Sequence, residues 1–248
     1  MNTCPNTPPA QSHIGTIARF FHLGLVCMML SVVSVASANA ADRPGNDNTG
    51  NDNTGPLRVV VFGDSLTAGF QIAASDAFPA KLERALKAKG HDVEIANAGV
   101  SGDTTAAALG RLDWAVPDGT ELVIVELGAN DMLRGLNPAE ARTNLDAVVA
   151  RIKAKGATVL LAGMRSVGNW GADYVKRFDS IFPELAAKHG LLLYPFFMEG
   201  VIGRADLSLS DGMHPNPRGV DAIVNGILPT VEPLIAKLKA ARTKAPPG

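Results

Sequence analysis

The sequence predicts one three-layer α/β/α domain built on a five-stranded, mainly parallel sheet. Five short apolar runs, rich in β-branched residues, are typical of strands that are buried on both faces. The segments between them carry apolar residues at helical spacing. Strands that alternate with helices favour a parallel sheet covered by helices on both sides. A chain of 248 residues is long enough for such a domain to bury a full core.

The five predicted strands follow one another from Leu57 onward. Each is a mostly apolar run, and glycine or polar residues mark the ends of most of them. In chain order they read LRVVVFG from Leu57, DVEIANAG from Asp92, ELVIVELGAND from Glu121, ATVLLAG from Ala157 and LLLYPFF from Leu191.

Helical patterns fill the spaces after these strands. The first places Phe78, Leu82 and Leu86 on one face, and a short one follows in TTAAALGRL. The third opens at Asn137 with a cap, a first-turn proline and an acidic residue. A single fourth helix is expected to end at His189-Gly190. In the last helix, Pro229 and Pro233 are expected to kink or interrupt the backbone.

Residues 1–40 have the pattern of a secretory signal peptide. Arg19 precedes an apolar run from Phe20 to Val35, and Ala38-Asn39-Ala40 is a small-x-small cleavage site. The alternative is an uncleaved membrane anchor, but the run is short for a membrane span. We therefore expect cleavage after Ala40, a periplasmic or secreted mature protein, and no stable membrane anchor after cleavage.

Residues 41–56 are expected to form a disordered, low-complexity linker. The unit GNDNT occurs twice there, and the stretch from Asp42 to Pro56 has no apolar residue to bury. Asp47 and Asp52 offer an alternative metal-binding interpretation, but the spacing of a calcium loop is absent. The folded domain is then expected at residues 57–242, and a disordered tail at 243–248.

Composition narrows the possible partners. The formal net charge is −1, which argues against a nucleic-acid groove or a basic membrane-binding face. Both cysteines, Cys4 and Cys27, lie in the predicted signal peptide, so the mature chain is expected to contain no disulfide. The sequence specifies no oligomeric state.

Four polar clusters interrupt the apolar pattern, and three of them directly follow a predicted strand. The carboxyl ends of parallel strands share one edge of the sheet, where open α/β domains bind their ligands. The three clusters should converge there, and the fourth can join them from the loop before the last helix. The clusters are Gly63-Asp64-Ser65, Gly99-Val100-Ser101-Gly102-Asp103, Gly128-Ala129-Asn130-Asp131 and Ser210-Asp211-Gly212-Met213-His214.

Ser65 is the candidate nucleophile, with His214 as its base and Asp211 as the acid that orients the base. A serine hydroxyl attacks poorly until a base takes its proton. Beyond the predicted signal peptide, only His214 lies in a Gly/Pro-bounded loop with a carboxylate three residues earlier. The alternative is that Asp211 caps the last helix and His214 is a surface residue. Asp64 is expected to be structural and to bind backbone in the turn.

Acyl transfer also needs donors for the negative charge that develops on the substrate oxygen. Gly102 allows a backbone N–H to approach a substrate closely, and Asn130 offers a side-chain amide. The N–H of Ser65 is a third candidate. Each well-aimed donor stabilises a transition state by roughly 2.7–4 kcal/mol. An ordinary turn at Gly102 and an ordinary cap at Asn130 are the alternatives when each cluster is taken alone.

Together the four clusters resemble the SGNH hydrolases, also called the GDSL esterase/lipase family. The matching blocks read GDSLTAG, NAGVSGDTT, GAND and DGMHP, and the resemblance extends from about Leu57 to Ala240. It is greatest to a branch of bacterial periplasmic acyl-CoA thioesterases that are also described as lysophospholipases and arylesterases. The resemblance implies a flavodoxin-like fold and no metal ion or organic cofactor. It also implies roles for five residues, with Ser65, Asp211 and His214 catalytic and Ser65, Gly102 and Asn130 in an oxyanion hole.

Three functions remain open on these residues. The first is hydrolysis of carboxylic esters and thioesters, the second is O-acetylesterase activity on a polysaccharide, and the third is a secreted binding module. The intact set of nucleophile, base and orienting acid argues against a binding module. An acyl groove would need apolar lining near the site, for which ordinary core packing is the alternative. The candidates for that lining are Met132, Leu133, Leu136, Trp170 and the run Phe196-Phe197-Met198.

Overall fold

The structure, a computed structural model, describes residues 55–167 and 170–244, with the backbone only for Lys244. The predicted signal peptide, the linker up to residue 54 and the end of the predicted tail lie outside the described residues.

The predicted α/β fold is confirmed. Within the described residues the sheet has five strands in the order β2-β1-β3-β4-β5, and each pairing is parallel. β1 and β3, at the centre, consist almost entirely of buried apolar residues, as expected for strands covered on both faces. The strands are β1 (Leu57–Gly63), β2 (Val93–Gly99), β3 (Leu122–Glu126), β4 (Thr158–Ala162) and β5 (Leu192–Tyr194).

Helices connect the strands and cover the sheet. Two of them, α1 and α4, are short, and each starts within three residues of the end of a central strand. A single 3₁₀ turn lies at Ala74–Asp76. The helices are α1 (Ser65–Ala68), α2 (Phe78–Ala88), α3 (Thr105–Ala115), α4 (Ala129–Leu133), α5 (Pro138–Ala154), α6 (Ala172–Asp179), α7 (Ile181–His189) and α8 (Pro217–Lys244).

The expectation of one helix ending at His189 is wrong, because the segment divides into α6 and α7 at Ser180. Pro183 explains the break. Its nitrogen carries no hydrogen, so it cannot donate to the carbonyl of Asp179 four residues earlier.

The two prolines of the last helix were expected to kink or interrupt it, and they do not interrupt it. Pro229 and Pro233 lie inside the continuous helix α8. Its apolar stripe, which includes Ile223, Ile227 and Val231, is buried in the core, and this packing offsets the lost backbone hydrogen bonds. Among the described residues, this helix alone has the length and composition of a membrane span. Its buried stripe is equally typical of a core helix.

The boundaries of two other elements also differ from expectation. β5 stops at Tyr194, because Pro195 has no N–H to continue the ladder. The chain nevertheless stays beside the sheet, where the N–H of Phe197 donates to the carbonyl of Gly163 at 2.8 Å. At the C-terminus, α8 includes Thr243 and Lys244, which the sequence placed in the tail.

Candidate active site

Ser65 is the first residue of α1, directly beyond the end of β1. Gly63, the last residue of β1, has no room for a side chain, because a Cβ there would lie 2.1 Å from Thr67 Oγ1 and 2.6 Å from Glu126 Oε2. Asp64 then caps the helix by accepting the N–H of Leu66 at 3.0 Å, as the sequence predicted. The nucleophile candidate is therefore fixed by a strand end and a helix start.

His214 bridges Ser65 and Asp211. Its Nε2 lies 2.9 Å from Ser65 Oγ, and its Nδ1 lies 2.6 Å from Asp211 Oδ2. The ring of Phe70 packs beside the imidazole, with 4.4 Å between centroids. The three side chains thus form a continuous chain of hydrogen bonds, in which the ring nitrogen that faces Asp211 is suited to carry the proton.

The loop that carries His214 is held by its own hydrogen bonds. Asp211 Oδ1 accepts the N–H groups of Met213 at 2.9 Å and His214 at 3.0 Å. Chiefly because of the bond from the His214 N–H, the pKa of Asp211 is lowered to about 2. Asp211 does not cap the last helix. Asn216 has that position, and its Oδ1 accepts the N–H of Gly219 at 3.0 Å.

Gly102 and Asn130 lie beside this chain of hydrogen bonds. Gly102 has a φ of +87°, which favours glycine, and its carbonyl accepts a bond from Arg134 Nη2 at 2.8 Å. Within the described residues its N–H has no hydrogen-bond partner. Asn130 is in the first turn of α4 and not at the end of β3 itself. Its Nδ2 donates to Asp64 Oδ2 at 3.2 Å, a contact that the sequence did not predict.

Two buried carboxylates lie behind the site. Asp64 and Glu126 are both 0% exposed. Glu126 Oε2 accepts bonds from Thr67 Oγ1 at 2.7 Å and from the N–H of Asp64 at 3.4 Å. Burial raises the pKa of Asp64 to about 6. Burial and then the nearby charge of Asp64 raise the pKa of Glu126 well above its ordinary range.

Arg111 joins the nucleophile strand to the loop of Gly102, and sequence reasoning missed it. Its Nε donates to Asp103 Oδ2 at 2.5 Å, and its Nη2 donates to the Gly63 carbonyl at 2.9 Å. The guanidinium lies over the Phe62 ring at 4.5 Å. In the sequence, Arg111 is one basic residue of a short helix, and neither partner is close enough along the chain to reveal the role.

An apolar cavity of about 240 Å³ opens beside Ser65 and His214. Met132 and Leu133 line it, whereas Leu136 and Trp170 are not part of the lining. Trp170 instead donates from Nε1 to the Met132 carbonyl at 2.8 Å. The apolar side chains that line the cavity are Leu66, Ala129, Met132, Leu133, Met164, Val167, Phe196, Met198, Ile202 and Met213.

Phe197 was wrongly predicted to line the acyl groove. It is 0% exposed and packs edge-on against Phe78 in the core, with 4.9 Å between ring centroids. Phe196 and Met198, the other two residues of the predicted run, do line the cavity.

The remaining histidines of the described residues lie outside the site. His91 is paired with Glu232 and His189 with Asp146, each through Nε2. Residues 55–167 and 170–244 contain no group of three or more His, Cys, Asp or Glu side chains arranged to hold a metal ion.

The fold and the hydrogen-bonded Ser65, His214 and Asp211 define a hydrolase of the SGNH type. Residues 61–222 match the model of the GDSL-like Lipase/Acylhydrolase family. The chain belongs to this family and is an ester-bond hydrolase.

Characterised relatives cover most of the folded domain. The chain is 36% identical to esterase TesA of Pseudomonas aeruginosa, over 71% of this chain and 89% of the relative. It is 40% identical to an arylesterase of Vibrio mimicus, over 64% of this chain and 80% of the relative. It is 35% identical to thioesterase 1/protease 1/lysophospholipase L1 of Escherichia coli K12, over 71% of this chain and 84% of the relative. The crystal structure of AlinE4, an SGNH-hydrolase family esterase, matches with a TM-score of 0.61 at 46% identity. The match covers 72% of this chain and 96% of the AlinE4 chain.

Proposed function

We propose that this esterase hydrolyses carboxylic esters and thioesters through an acyl-enzyme on Ser65. The observation that carries the proposal is the hydrogen-bond chain from Ser65 through His214 to Asp211 beside an apolar cavity. A nucleophile, a base and an orienting acid in contact are the parts that acyl transfer requires.

In the first half of the reaction, Ser65 Oγ attacks the acyl carbonyl while His214 Nε2 takes the hydroxyl proton. The ionised Asp211 stabilises the imidazolium through Nδ1. The N–H groups of Ser65 and Gly102 and the amide of Asn130 bind the oxyanion. The tetrahedral intermediate then collapses, the bond to the leaving group breaks, and His214 returns its proton to the departing oxygen or sulfur.

In the second half, His214 removes a proton from water, and the resulting nucleophile attacks the acyl carbon. A second tetrahedral intermediate forms in the same oxyanion hole. Its collapse breaks the bond to Ser65 Oγ, which recovers a proton from His214, and the carboxylic acid leaves. Water is the only co-reactant of the cycle.

The proposed substrates carry an acyl chain longer than acetyl. Met132, Leu133 and Phe196 give the cavity an apolar lining next to Ser65, which suits the methylene groups of a fatty acyl chain. The names of the relatives include arylesterase, thioesterase and lysophospholipase, which supports activity on aryl esters, thioesters and lysophospholipids.

We also propose that the protein works in the periplasm or outside the cell, free of a membrane anchor. The support is the signal-peptide pattern that ends at Ala40. Intact mass of the protein from a periplasmic extract tests this. A chain that begins at Ala41 is expected, and a full-length chain recovered only with membranes would contradict it.

A substrate panel tests the proposed specificity. It comprises p-nitrophenyl esters from acetyl to palmitoyl, an acyl-CoA, a lysophospholipid and an acetylated sugar. We expect turnover of the longer p-nitrophenyl esters and the acyl-CoA, with little turnover of the acetylated sugar. Preference for the acetylated sugar would replace this proposal with a carbohydrate O-acetylesterase.

A further inference from the structure

Asp64 uses its two carboxylate oxygens for two different partners. Oδ1 accepts the N–H of Leu66 at 3.0 Å and so caps α1, while Oδ2 accepts Asn130 Nδ2 at 3.2 Å. The side chain is 0% exposed, so loss of either bond would leave a buried oxygen without a hydrogen-bond partner. The cap explains Oδ1 but gives no reason for the contact with Asn130.

The contact determines which way the Asn130 amide faces. An ionised carboxylate only accepts hydrogen bonds, so it selects the NH₂ end of the amide and repels the carbonyl oxygen. One N–H of Nδ2 is bound to Asp64, and the other remains for a ligand. A reversed amide would present its oxygen to the developing oxyanion, where it would destabilise the transition state.

The surrounding groups favour an ionised Asp64 near neutral pH. The titratable side chains that face it are Glu126 on β3, Asp103 before α3 and His214 before α8. Burial, and after it the charge of Asp64, raises the pKa of Glu126 well above its ordinary range. Its Oε1 has no hydrogen-bond partner among the described residues and is the oxygen free to carry a proton. Both oxygens of Asp64 accept N–H bonds, whereas Glu126 Oε1 accepts none, so this geometry favours the proton on Glu126 and the charge on Asp64.

We propose that Asp64 is a positioning residue whose ionised carboxylate holds the Asn130 amide with its second N–H toward the oxyanion, and that protonation of Asp64 releases this constraint. The proposal rests on the oxyanion role proposed above for Asn130. Because Asp64 acts through Asn130, its removal should lower kcat and leave KM nearly unchanged.

A double-mutant cycle on p-nitrophenyl butyrate hydrolysis tests the proposal. Asp64→Asn keeps one acceptor oxygen where the structure uses two. Asp64→Ser keeps a good N-cap but is too short to hold Asn130 as well. Each is expected to lower kcat by about 10²-fold, and by no more than Asn130→Ala does. In the Asn130→Ala background, Asp64→Asn should change kcat by less than about twofold.

The outcomes separate the possible errors. If Asp64→Asn costs as much in the Asn130→Ala background as in the wild type, or if Asp64→Ser retains wild-type kcat, Asp64 is only a helix cap. If Asn130→Ala itself retains wild-type kcat, the oxyanion role of Asn130 fails and this proposal with it, while Ser65 as nucleophile is unaffected.

A second measurement needs no variant of Asp64 and decides the case if those variants do not fold. The acid limb of the plot of kcat against pH should be steeper in the wild type than in Asn130→Ala. In the wild type, protonation of either His214 or Asp64 lowers kcat, whereas in the variant only protonation of His214 does so. Limbs of equal steepness would overturn the proposal.

Discussion

The Nε2 atom of His214 lies 2.9 Å from Oγ of Ser65, although 149 residues separate the two. Each partner is held by its own turn. Asp64 caps α1 and presents Ser65, while Asp211 accepts two backbone N–H groups and holds the loop of His214. The bond therefore joins two locally fixed elements, and little reorganisation is needed before attack.

Activity should depend on the protonation of His214. Only the neutral imidazole accepts the serine proton, so kcat/KM should fall as the solution is made acidic. Asp211, with its pKa lowered to about 2, stays ionised in mildly acidic and neutral solution. Initial rates on p-nitrophenyl butyrate in constant-ionic-strength buffers measure the profile. A flat profile with chemistry rate-limiting would remove His214 as the base.

The variant Asp211→Asn tests whether this carboxylate orients His214. The amide keeps the shape of the side chain but no longer selects the His214 tautomer, and kcat should fall by about 10⁴-fold. Asp206→Asn, in the same loop and outside the hydrogen-bond chain, is the matched control and should retain activity.

Glu126→Gln should alter how stability depends on pH. Because burial raises the pKa of Glu126, the folded state binds its proton more tightly than the unfolded chain does. The stability that comes from this carboxyl is complete below its ordinary pKa and is lost as pH rises toward the raised value. Glutamine has no such proton and can keep the acceptor oxygen for Thr67. The free energy of unfolding in urea, relative to that of the wild type, should therefore be higher for the variant at about pH 8 than at about pH 5.

The contradicting outcome is a free-energy difference between variant and wild type that is the same at both pH values. Glu126 would then be ionised in the folded state as readily as in the unfolded chain.

The acyl cavity should produce a chain-length preference. Each buried methylene adds roughly 0.8 kcal/mol, or close to fourfold in kcat/KM, until the cavity is full. We expect kcat/KM to climb from acetyl through butyryl to at least hexanoyl p-nitrophenyl esters. A maximum at acetyl that falls by butyryl would mean that the apolar lining does not bind the acyl chain.

Phe197 and Leu133 should behave differently when truncated. Phe197→Ala removes a fully buried ring and should cost about 3–5 kcal/mol of unfolding free energy. Leu133 is 46% exposed at the cavity. Leu133→Ala should therefore lower the unfolding free energy by less than about 1 kcal/mol, but it should weaken the preference for longer acyl chains. Urea unfolding and the ester series measure both. The reverse pattern would show that Phe197 contacts substrate.

The Phe196-Phe197 pair also shows where prediction from the sequence stops. Both rings follow the end of β5, where strand alternation no longer assigns side chains to faces, and one of them lines the cavity. Which one does so depends on how the chain leaves β5 and pairs with Gly163, and that is set by tertiary packing. The same limit applies to Arg111, whose partners come from two other segments.

Local patterns predicted much of the rest. Apolar runs located the five strands, and the parallel topology then required their polar ends to share one edge. This accounts for the positions of Ser65, Gly102 and Asn130. The break at Ser180 was also within reach, since Pro183 is visible in the sequence. The contact between Asp64 and Asn130 was not, because it joins turns 66 residues apart.

Covalent trapping of Ser65 tests the central claim most directly. A p-nitrophenyl alkylphosphonate transfers its phosphonyl group to a serine activated for attack and releases p-nitrophenol. Intact mass and peptide mapping should show one adduct, on Ser65, in the wild type and in the control Ser75→Ala, whose serine is exposed and outside the site. Ser65→Ala should remain unlabelled, stay folded and lose ester hydrolysis. An adduct on another residue, or a Ser65→Ala variant that still hydrolyses esters, would contradict the acyl-enzyme mechanism.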